Sequence, residues 1–107
     1  MPVRTQAELL RIAQEALANA RRHADATVVR IQVAFQDGRI RMSVVDNGRG
    51  FDRTEVGPNS FGLAAMRERA ALIDAELDIR SAPGEGTRVQ VLAPLPTVAM
   101  RPRLEMT

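Results

Sequence analysis

Two alternating apolar runs on either side of Asp37-Gly38 constrain the fold of this chain more than any other feature. Val28 to Phe35 places every second side chain on one side, and Ile40 to Val45 repeats the alternation, which is the period of a β-strand. Asp-Gly is a preferred dipeptide for the tight turn between antiparallel strands. The sequence therefore predicts a β-hairpin at this point.

A helix is predicted before this hairpin, over Thr5 to Ala24, where apolar residues recur at three- and four-residue spacing. Thr5, followed three residues later by Glu8, has the pattern of a capping box at the helix start. The apolar face of this helix is expected to contain Leu9, Ala13, Ala16, Leu17, Ala20 and Ala24.

A second helix and a second hairpin are predicted in the remaining part of the chain. Gly62 to Ala75 has helical periodicity, and Leu77 to Ser81 and Thr87 to Leu92 are short strands joined by a glycine-rich turn. Val89 and Val91 are expected to face inward. The buried stripe of the helix is expected to contain Leu63, Met66, Ala70 and Ile73.

The order helix, hairpin, loop, helix, hairpin predicts an α+β fold. It is a two-layer α/β sandwich, in which helices cover one face of a mostly antiparallel sheet. The 107 residues suit one domain. Residues 1–96 are expected to form that domain, and residues 97–107, which lack a clear period, are expected to be a tail or linker.

Charge and composition exclude several classes of function. All 15 basic residues are arginine and they are scattered, so the formal charge of +2 shows no basic stripe suited to nucleic acid. Without cysteine there is neither a disulfide nor a thiolate metal site. No apolar run approaches the length that spans a bilayer, and no signal peptide opens the chain.

The segment from Asp46 to Phe51 carries the clearest chemical signal, because a carboxylate followed by two closely spaced glycines stands at the end of the second strand. An ionised Asp46 only accepts hydrogen bonds, which suits a ligand with an amine edge such as adenine. Gly48 and Gly50 allow a ligand to approach the backbone closely. The same residue types also form ordinary polar turns.

The first helix has a polar stripe of Glu15, Asn19, Arg22 and His23. A solvated helix face is the common explanation of such a stripe, and His23 also suits the negative end of a helix dipole. The alternative is a magnesium–phosphate site, in which the Asn19 carbonyl oxygen binds Mg²⁺ and Arg22 and His23 contact phosphate. A helix that begins at Gly62 offers further free N–H groups to phosphate.

Four segments in this order resemble the motifs of the ATP-binding domain of histidine kinases, in the gyrase, Hsp90, histidine kinase and MutL superfamily (the Bergerat fold). Gln14 to Ala24 resembles the N box, and Asp46 to Phe51 resembles the first glycine box. Gly62 to Arg69 resembles the second glycine box, and Gly84 to Thr87 the last glycine motif. The resemblance covers about Ala7 to Pro96.

The resemblance implies that Asp46 accepts a hydrogen bond from the adenine amine and that Thr87 supports the adenine site beside it. Gly48 and Gly50 would let the chain wrap the nucleotide, and Phe51 completes this part of the site. ATP or ADP with Mg²⁺ would be the bound group.

At the phosphate end, the resemblance implies that Asn19 holds Mg²⁺ and that Arg22 and His23 reach phosphate oxygens. Gly62 and Leu63 would close over the phosphates.

Residues 52–61 would form a lid over the ATP, by the same resemblance. Glu15 matches the position of the general base in the superfamily's ATPases, so it is the candidate catalytic residue.

The residues of these motifs are most similar to those of sensor kinases that pair with response regulators of the NarL/LuxR type. The resemblance implies a cytoplasmic protein-histidine kinase domain that contacts neither nucleic acid nor membrane. It would act with a dimerisation and phosphoacceptor domain that this chain lacks, and alone it would bind nucleotide with little turnover. An excised domain of a longer kinase is therefore expected.

The strand that usually precedes the first helix is also absent, so the sheet would either be one strand short or be completed by another segment. Two alternatives are a free-standing serine kinase of the anti-sigma-factor type and a scaffold that has lost nucleotide binding.

Overall fold

The computed structural model describes residues 1–52, 54, 56–57 and 60–96, so the predicted tail lies outside the described residues. None of the helices in these ranges has the length and apolarity needed to cross a bilayer. The elements are α1 (Val3–Arg22), β1 (Val29–Gln36), β2 (Arg39–Asp46), a 3₁₀ turn (Ser60–Gly62), α2 (Leu63–Leu72), β3 (Glu76–Ser81) and β4 (Thr87–Pro94).

The four strands form one sheet in the order β1-β2-β4-β3, and every neighbouring pair is antiparallel. The predicted hairpin is present, and its turn residues Asp37 and Gly38 both have positive φ (54° and 74°), as a type I′ turn requires. Because the helices pack on one face of this sheet, the predicted two-layer α+β fold is confirmed.

The core lies between the helices and the central strands β2 and β4. Ile40, Met42 and Val44 alternate on β2, and the predicted inward residues Val89 and Val91 are buried on β4. Helix α1 lies over these two strands, whereas α2 packs against α1 and β3. The predicted stripe of α2 is confirmed, since all its members are buried: Leu63, Met66, Ala70 and Ile73.

The start of α1 differs from the prediction. The helix begins at Val3, Pro2 is its N-cap, and no side chain caps it, so the capping box was wrong. Thr5 is buried inside the first turns. Glu8 instead pairs with Arg69 of α2 at 3.0 Å, a contact between elements that a local cap pattern cannot reveal.

The buried face of α1 also differs in one position. Leu17, predicted to be buried, is 38% exposed, and Ile12 is fully buried at the centre of the helix–sheet contact. The reason is rotational, because the helix turns Ile12 rather than Leu17 toward β2 and β4. The other predicted positions are buried as expected: Leu9, Ala13, Ala16, Ala20 and Ala24.

Candidate functional site

A cavity opens between the C-terminal half of α1, the end of the sheet and the start of α2. It encloses about 500 Å³ when the open solvent at its mouth is included. Its walls are mostly apolar, and its polar side chains are Asn19, His23, Asp46 and Thr87. The remaining walls are Ala16, Ala24, Val44, Gly50, Phe51, Phe61, Leu63, Met66, Ile79 and Val89.

The structure therefore brings together seven of the residues that the sequence assigned to a nucleotide: Asn19, His23, Asp46, Gly50, Phe51, Leu63 and Thr87. Gly48, Gly62 and Arg22 do not line the cavity. Arg22 is exposed, and no hydrogen bond or ion pair of its side chain occurs among the described residues. The phosphate contact of Arg22 stays a prediction.

Asp46 is held at the end of β2, where it pairs with Val29 of β1 and Thr87 of β4. Its Oδ1 accepts a hydrogen bond from the backbone N–H of Gly48 at 2.8 Å. Within the described residues its Oδ2 has no partner, so this half-buried carboxylate keeps one acceptor for a ligand. An apolar cavity with one oriented acceptor at its end can select a ligand that presents a donor there.

The loop after β2 is fixed to the segment between α1 and β1 by side chains that the sequence did not single out. The Asn47 Oδ1 accepts from the backbone N–H groups of Thr27 and Val28, each at 3.0 Å. The Arg49 side chain donates to the His23 carbonyl at 2.9 Å and pairs with Asp25 at 3.0 Å. These bonds hold Asp46 at a set distance from the helix that carries Asn19.

Gly48 and Gly50 are required by backbone packing in the structure. A Cβ on Gly48 would collide with Ala24, which lies just after α1, and a Cβ on Gly50, whose φ is +66°, would collide with the Ala82 carbonyl. The two glycines therefore let this loop pack closely against the segment that follows α1 on one side and against the β3–β4 turn on the other. Only Gly50 also reaches the cavity.

Ser81 connects the two glycine-containing loops, and no local signal in the sequence marked it. Its hydroxyl accepts from the Phe51 backbone N–H at 2.9 Å and donates to the Gly86 carbonyl at 3.1 Å. It also lies 2.8 Å from the Thr87 hydroxyl. Since Thr87 pairs with Asp46 across the strands, Ser81 helps to orient the polar end of the cavity.

Three rings close the other end of the cavity. Phe61 stacks on Phe51 with centroids 4.7 Å apart, and His23 meets Phe61 edge-on at 5.0 Å. Phe61 has a φ of +58°, which is uncommon for a bulky residue. Its carbonyl accepts a hydrogen bond from the Asn19 side-chain amide at 2.6 Å. Phe61 was missed as a site residue, although an aromatic directly before a helix-start glycine was visible in the sequence.

Glu15 lies against the N-terminal end of α2. A Cβ on Gly62 would be 2.5 Å from Glu15 Cδ and 2.7 Å from its Oε2, so only glycine leaves room for this carboxylate. No side chain caps α2, whose first N–H groups carry the positive end of the helix dipole. Glu15 thus stands where the helix favours negative charge.

Part of the segment predicted as a lid is described. Thr54 donates to Asp52 from its hydroxyl at 2.6 Å and from its backbone N–H at 2.8 Å, and these bonds lower the pKa of the Asp52 carboxyl. The start of the segment therefore carries a negative charge at neutral pH. In the described part of the chain, no group of three or more His, Asp and Glu side chains could hold a metal ion.

Comparison with known proteins gives a consistent result. Residues 4–97 match the family of histidine kinase-, DNA gyrase B- and HSP90-like ATPases. The chain is 38% identical over 96 residues to the signal transduction histidine-protein kinase/phosphatase DegS of Brevibacillus brevis, which covers 90% of this chain and 25% of DegS. It is 39% identical over 87 residues to the sensor histidine kinase LiaS of Bacillus subtilis, covering 81% of this chain and 24% of LiaS.

A solved structure shows the same architecture. The histidine kinase domain of the blue-light activated histidine kinase EL346 of Erythrobacter litoralis superposes with a TM-score of 0.76 at 30% identity, covering 89% of this chain and 46% of that one. The chain spans about a quarter of the length of the two curated relatives.

Proposed function

Because this chain belongs to the family of histidine kinase-, DNA gyrase B- and HSP90-like ATPases, we propose that it is the ATP-binding domain of a two-component sensor histidine kinase. The carrying observation is the half-buried Asp46 carboxylate, which keeps Oδ2 as an acceptor at the end of an apolar cavity. Adenine presents an exocyclic amine to such an acceptor, and its flat apolar faces suit the cavity walls.

The phosphates of the nucleotide would lie toward Asn19 and the N-terminus of α2. The Asn19 amide nitrogen donates a hydrogen bond to the Phe61 carbonyl, so the side-chain oxygen of Asn19 remains available for Mg²⁺. One neutral oxygen ligand fits this ion, which is held chiefly by phosphates and water. When bound, Mg²⁺ supplies charge neutralisation at the phosphates.

The proposal includes two further roles, for Glu15 and His23. Glu15 would orient the nucleophile or a proton at the phosphate end, since its carboxylate lies beside Gly62. His23, whose ring packs on Phe61, would sit beside the phosphates only after Phe61 moves.

The whole protein would transfer the γ-phosphoryl group of ATP to a histidine of a dimerisation and phosphoacceptor domain. A phosphorus–nitrogen bond forms as the bond to the ADP oxygen breaks, and the phosphoryl group then passes to an aspartate of a response regulator. The regulator would be of the NarL/LuxR type, which the residues of the motifs favour. The names of the curated relatives support a histidine kinase over the serine kinase alternative.

Calorimetric titration of the chain with ADP and GDP, each with Mg²⁺, tests the proposal. ADP is expected to bind with saturation, and GDP at least about 100-fold more weakly, because its ring oxygen would face the Asp46 carboxylate as a second acceptor. Equal binding of both nucleotides would contradict the adenine assignment. Binding of neither would show that residues 1–107 do not form the site by themselves.

Replacing Asn19 with aspartate is expected to weaken Mg²⁺-dependent ADP binding about tenfold or more and to leave adenosine binding within about twofold. The change removes the donor to the Phe61 carbonyl and adds a negative charge beside the phosphates. The matched control is Gln14→Glu, the same amide-to-acid change at an exposed position of α1. Equal losses for ADP and adenosine would remove Asn19 from the phosphate end.

A further inference from the structure

Three polar side chains lie in one row across the end of the sheet. Asp46 of β2 pairs with Thr87 of β4, and Thr87 pairs with Ser81 of β3. Cross-strand partners point to the same face of a sheet, so the three side chains share one face. Asp46 and Thr87 line the cavity, whereas Ser81 does not. Ser81 can therefore influence a ligand in the cavity only through its neighbours.

The hydrogen bonds of the Ser81 hydroxyl leave it no spare proton. A serine hydroxyl has one proton to donate and two lone pairs that accept. The Phe51 backbone N–H donates to the Ser81 oxygen at 2.9 Å. The Gly86 carbonyl, 3.1 Å away, can only accept, so the single Ser81 proton points to it. What remains on Ser81 is one lone pair.

The third contact of Ser81 has a fixed direction for this reason. The Ser81 and Thr87 hydroxyl oxygens are 2.8 Å apart, the usual length of an O–H···O hydrogen bond, so one proton lies between them. Since the Ser81 proton points to Gly86, this proton belongs to Thr87. Among the described residues the Thr87 hydroxyl makes no other hydrogen bond. Toward the cavity, Thr87 can therefore offer only lone pairs.

The polar end of the cavity thus presents acceptors from two neighbouring strands. Asp46 keeps Oδ2 without a partner within the described ranges, and Thr87 stands directly opposite it on β4. An exocyclic amine has two hydrogens, so it can donate one to each acceptor, directly or through one bridging water. A 6-oxo group would face two acceptors and no donor, and a site built to receive N–H groups rejects a ligand that lacks them.

We propose that Ser81 is a positioning residue for base selection, which holds the Thr87 proton out of the cavity and so restricts the site to purines with an amine at position 6. The inference rests on the proposed function, because its ligand is a purine nucleotide. It extends recognition of the base from Asp46 to a residue that does not touch the ligand. Without Ser81, the Thr87 hydroxyl can turn its proton into the cavity and donate to a 6-oxo group.

Replacing Ser81 with alanine is expected to lower the ratio of ADP affinity to inosine diphosphate (IDP) affinity about tenfold or more. ADP binding weakens because its amine loses an acceptor of fixed direction, and IDP binding improves because its 6-oxo group gains a donor. Each change corresponds to about one hydrogen bond, roughly threefold to tenfold in affinity. Displacement of ribose-labelled fluorescent ADP in the presence of Mg²⁺ measures both affinities.

A second variant attributes the effect to the Thr87 proton. In the double variant Ser81→Ala/Thr87→Val, valine keeps the shape of threonine without the hydroxyl, so the gain in IDP affinity should disappear. The matched control is Ser43→Ala, because Ser43 is a half-buried strand serine that bonds the Gln90 side chain at 3.3 Å outside the cavity. This control should keep the wild-type ratio within about twofold, and thermal unfolding verifies that all variants fold.

The direction of the Thr87 proton can also be measured without nucleotide. If Thr87 donates to Ser81, its hydroxyl proton exchanges slowly with water and gives a separate NMR signal with a cross-peak to the Ser81 β protons. The signal should be absent in Ser81→Ala. A Thr87 hydroxyl proton that exchanges freely in the wild-type chain would overturn the proposal, whether or not a nucleotide binds.

The outcomes separate a failure of this inference from a failure of the proposed function. If the wild-type chain binds ADP but Ser81→Ala lowers ADP and IDP affinity equally, Ser81 only supports the loop that carries Phe51, and base selection does not involve it. A gain in IDP affinity that persists in the double variant would show that the donor is not Thr87. Binding of neither nucleotide by the wild-type chain would contradict the proposed function of residues 1–107 and, with it, base selection.

Discussion

Replacement of Asp46 with alanine is expected to reduce the affinity for ADP by about 100-fold or more while the fold is kept. The carboxylate is the acceptor at the polar end of the cavity, and a hydrogen bond to a charged group contributes about 1.5–3 kcal/mol. The loss includes a second part, because the Gly48 N–H loses its acceptor at 2.8 Å and the loop that carries Gly50 is less well held.

Asp46→Asn separates these two contributions. An asparagine keeps a carbonyl oxygen that can accept from the Gly48 N–H, but it places an amide donor where Oδ2 stood. The adenine amine then meets a donor instead of an acceptor, so ADP binding is lost although the loop is intact. A 6-oxo purine such as that of IDP presents an acceptor at this edge and should bind better than to the wild-type chain.

Calorimetry with ADP and IDP on all three chains measures the effect, and thermal unfolding monitors the fold. The expected result is that the ratio of ADP to IDP affinity falls by more than tenfold in Asp46→Asn. Wild-type ADP affinity in a folded Asp46→Ala chain would refute the adenine assignment. An unchanged ratio in Asp46→Asn would mean that Asp46 acts only through the loop.

The parts of the fold that the sequence predicted well are those determined by local residues. The turn at Asp37-Gly38 needs positive φ at both positions, and these residue types provide it. The stripe of α2 and the inward side chains of β4 follow from periods of 3.6 and 2 residues. Each of these predictions depends on residues within one element and needed no knowledge of its neighbours.

The features of α1 that the sequence predicted wrongly depend on contacts with neighbouring elements. Both Ile12 and Leu17 fit a helical apolar pattern, and the position of β2 and β4 under the helix decided that Ile12 is buried. Glu8 could take part in a helix cap or in an ion pair. It forms the ion pair because Arg69 of α2 lies next to it. Such choices between equivalent local patterns are made by tertiary packing.

The candidate site also contains residues that the sequence could assign and residues that only the structure reveals. Asn19, Asp46 and Thr87 could be assigned because they belong to motifs with recognisable spacing, and the structure places all three in one cavity. Ser81 belongs to no such motif, and Phe61 was marked only by its position directly before Gly62. Their partners are distant in sequence, since Ser81 bonds Phe51 and Phe61 bonds Asn19, so their importance emerges only when the loops are brought together.

Gly86→Ala is expected to destabilise the domain by about 1–3 kcal/mol more than Gly84→Ala, although the two glycines stand in the same turn. Both glycines have positive φ, +72° at Gly86 and +81° at Gly84. The left-handed backbone therefore costs each alanine variant about 1 kcal/mol of stability. A Cβ on Gly84 meets nothing within 4 Å, whereas a Cβ on Gly86 collides with the Asp46 carbonyl. Overpacking of this kind costs about 1–3 kcal/mol.

The same collision links the β3–β4 turn to the nucleotide site. To accommodate the alanine, the end of β2 must move away from Gly86, whose own carbonyl accepts from Ser81. We therefore expect Gly86→Ala to lower ADP affinity about tenfold and Gly84→Ala to leave it unchanged. Urea unfolding with and without ADP measures both effects in one series. Equal stability of the two variants would contradict the close approach of the turn to Asp46, and lower stability of Gly86→Ala with wild-type ADP affinity would mean that this approach supports the fold but not the position of the carboxylate.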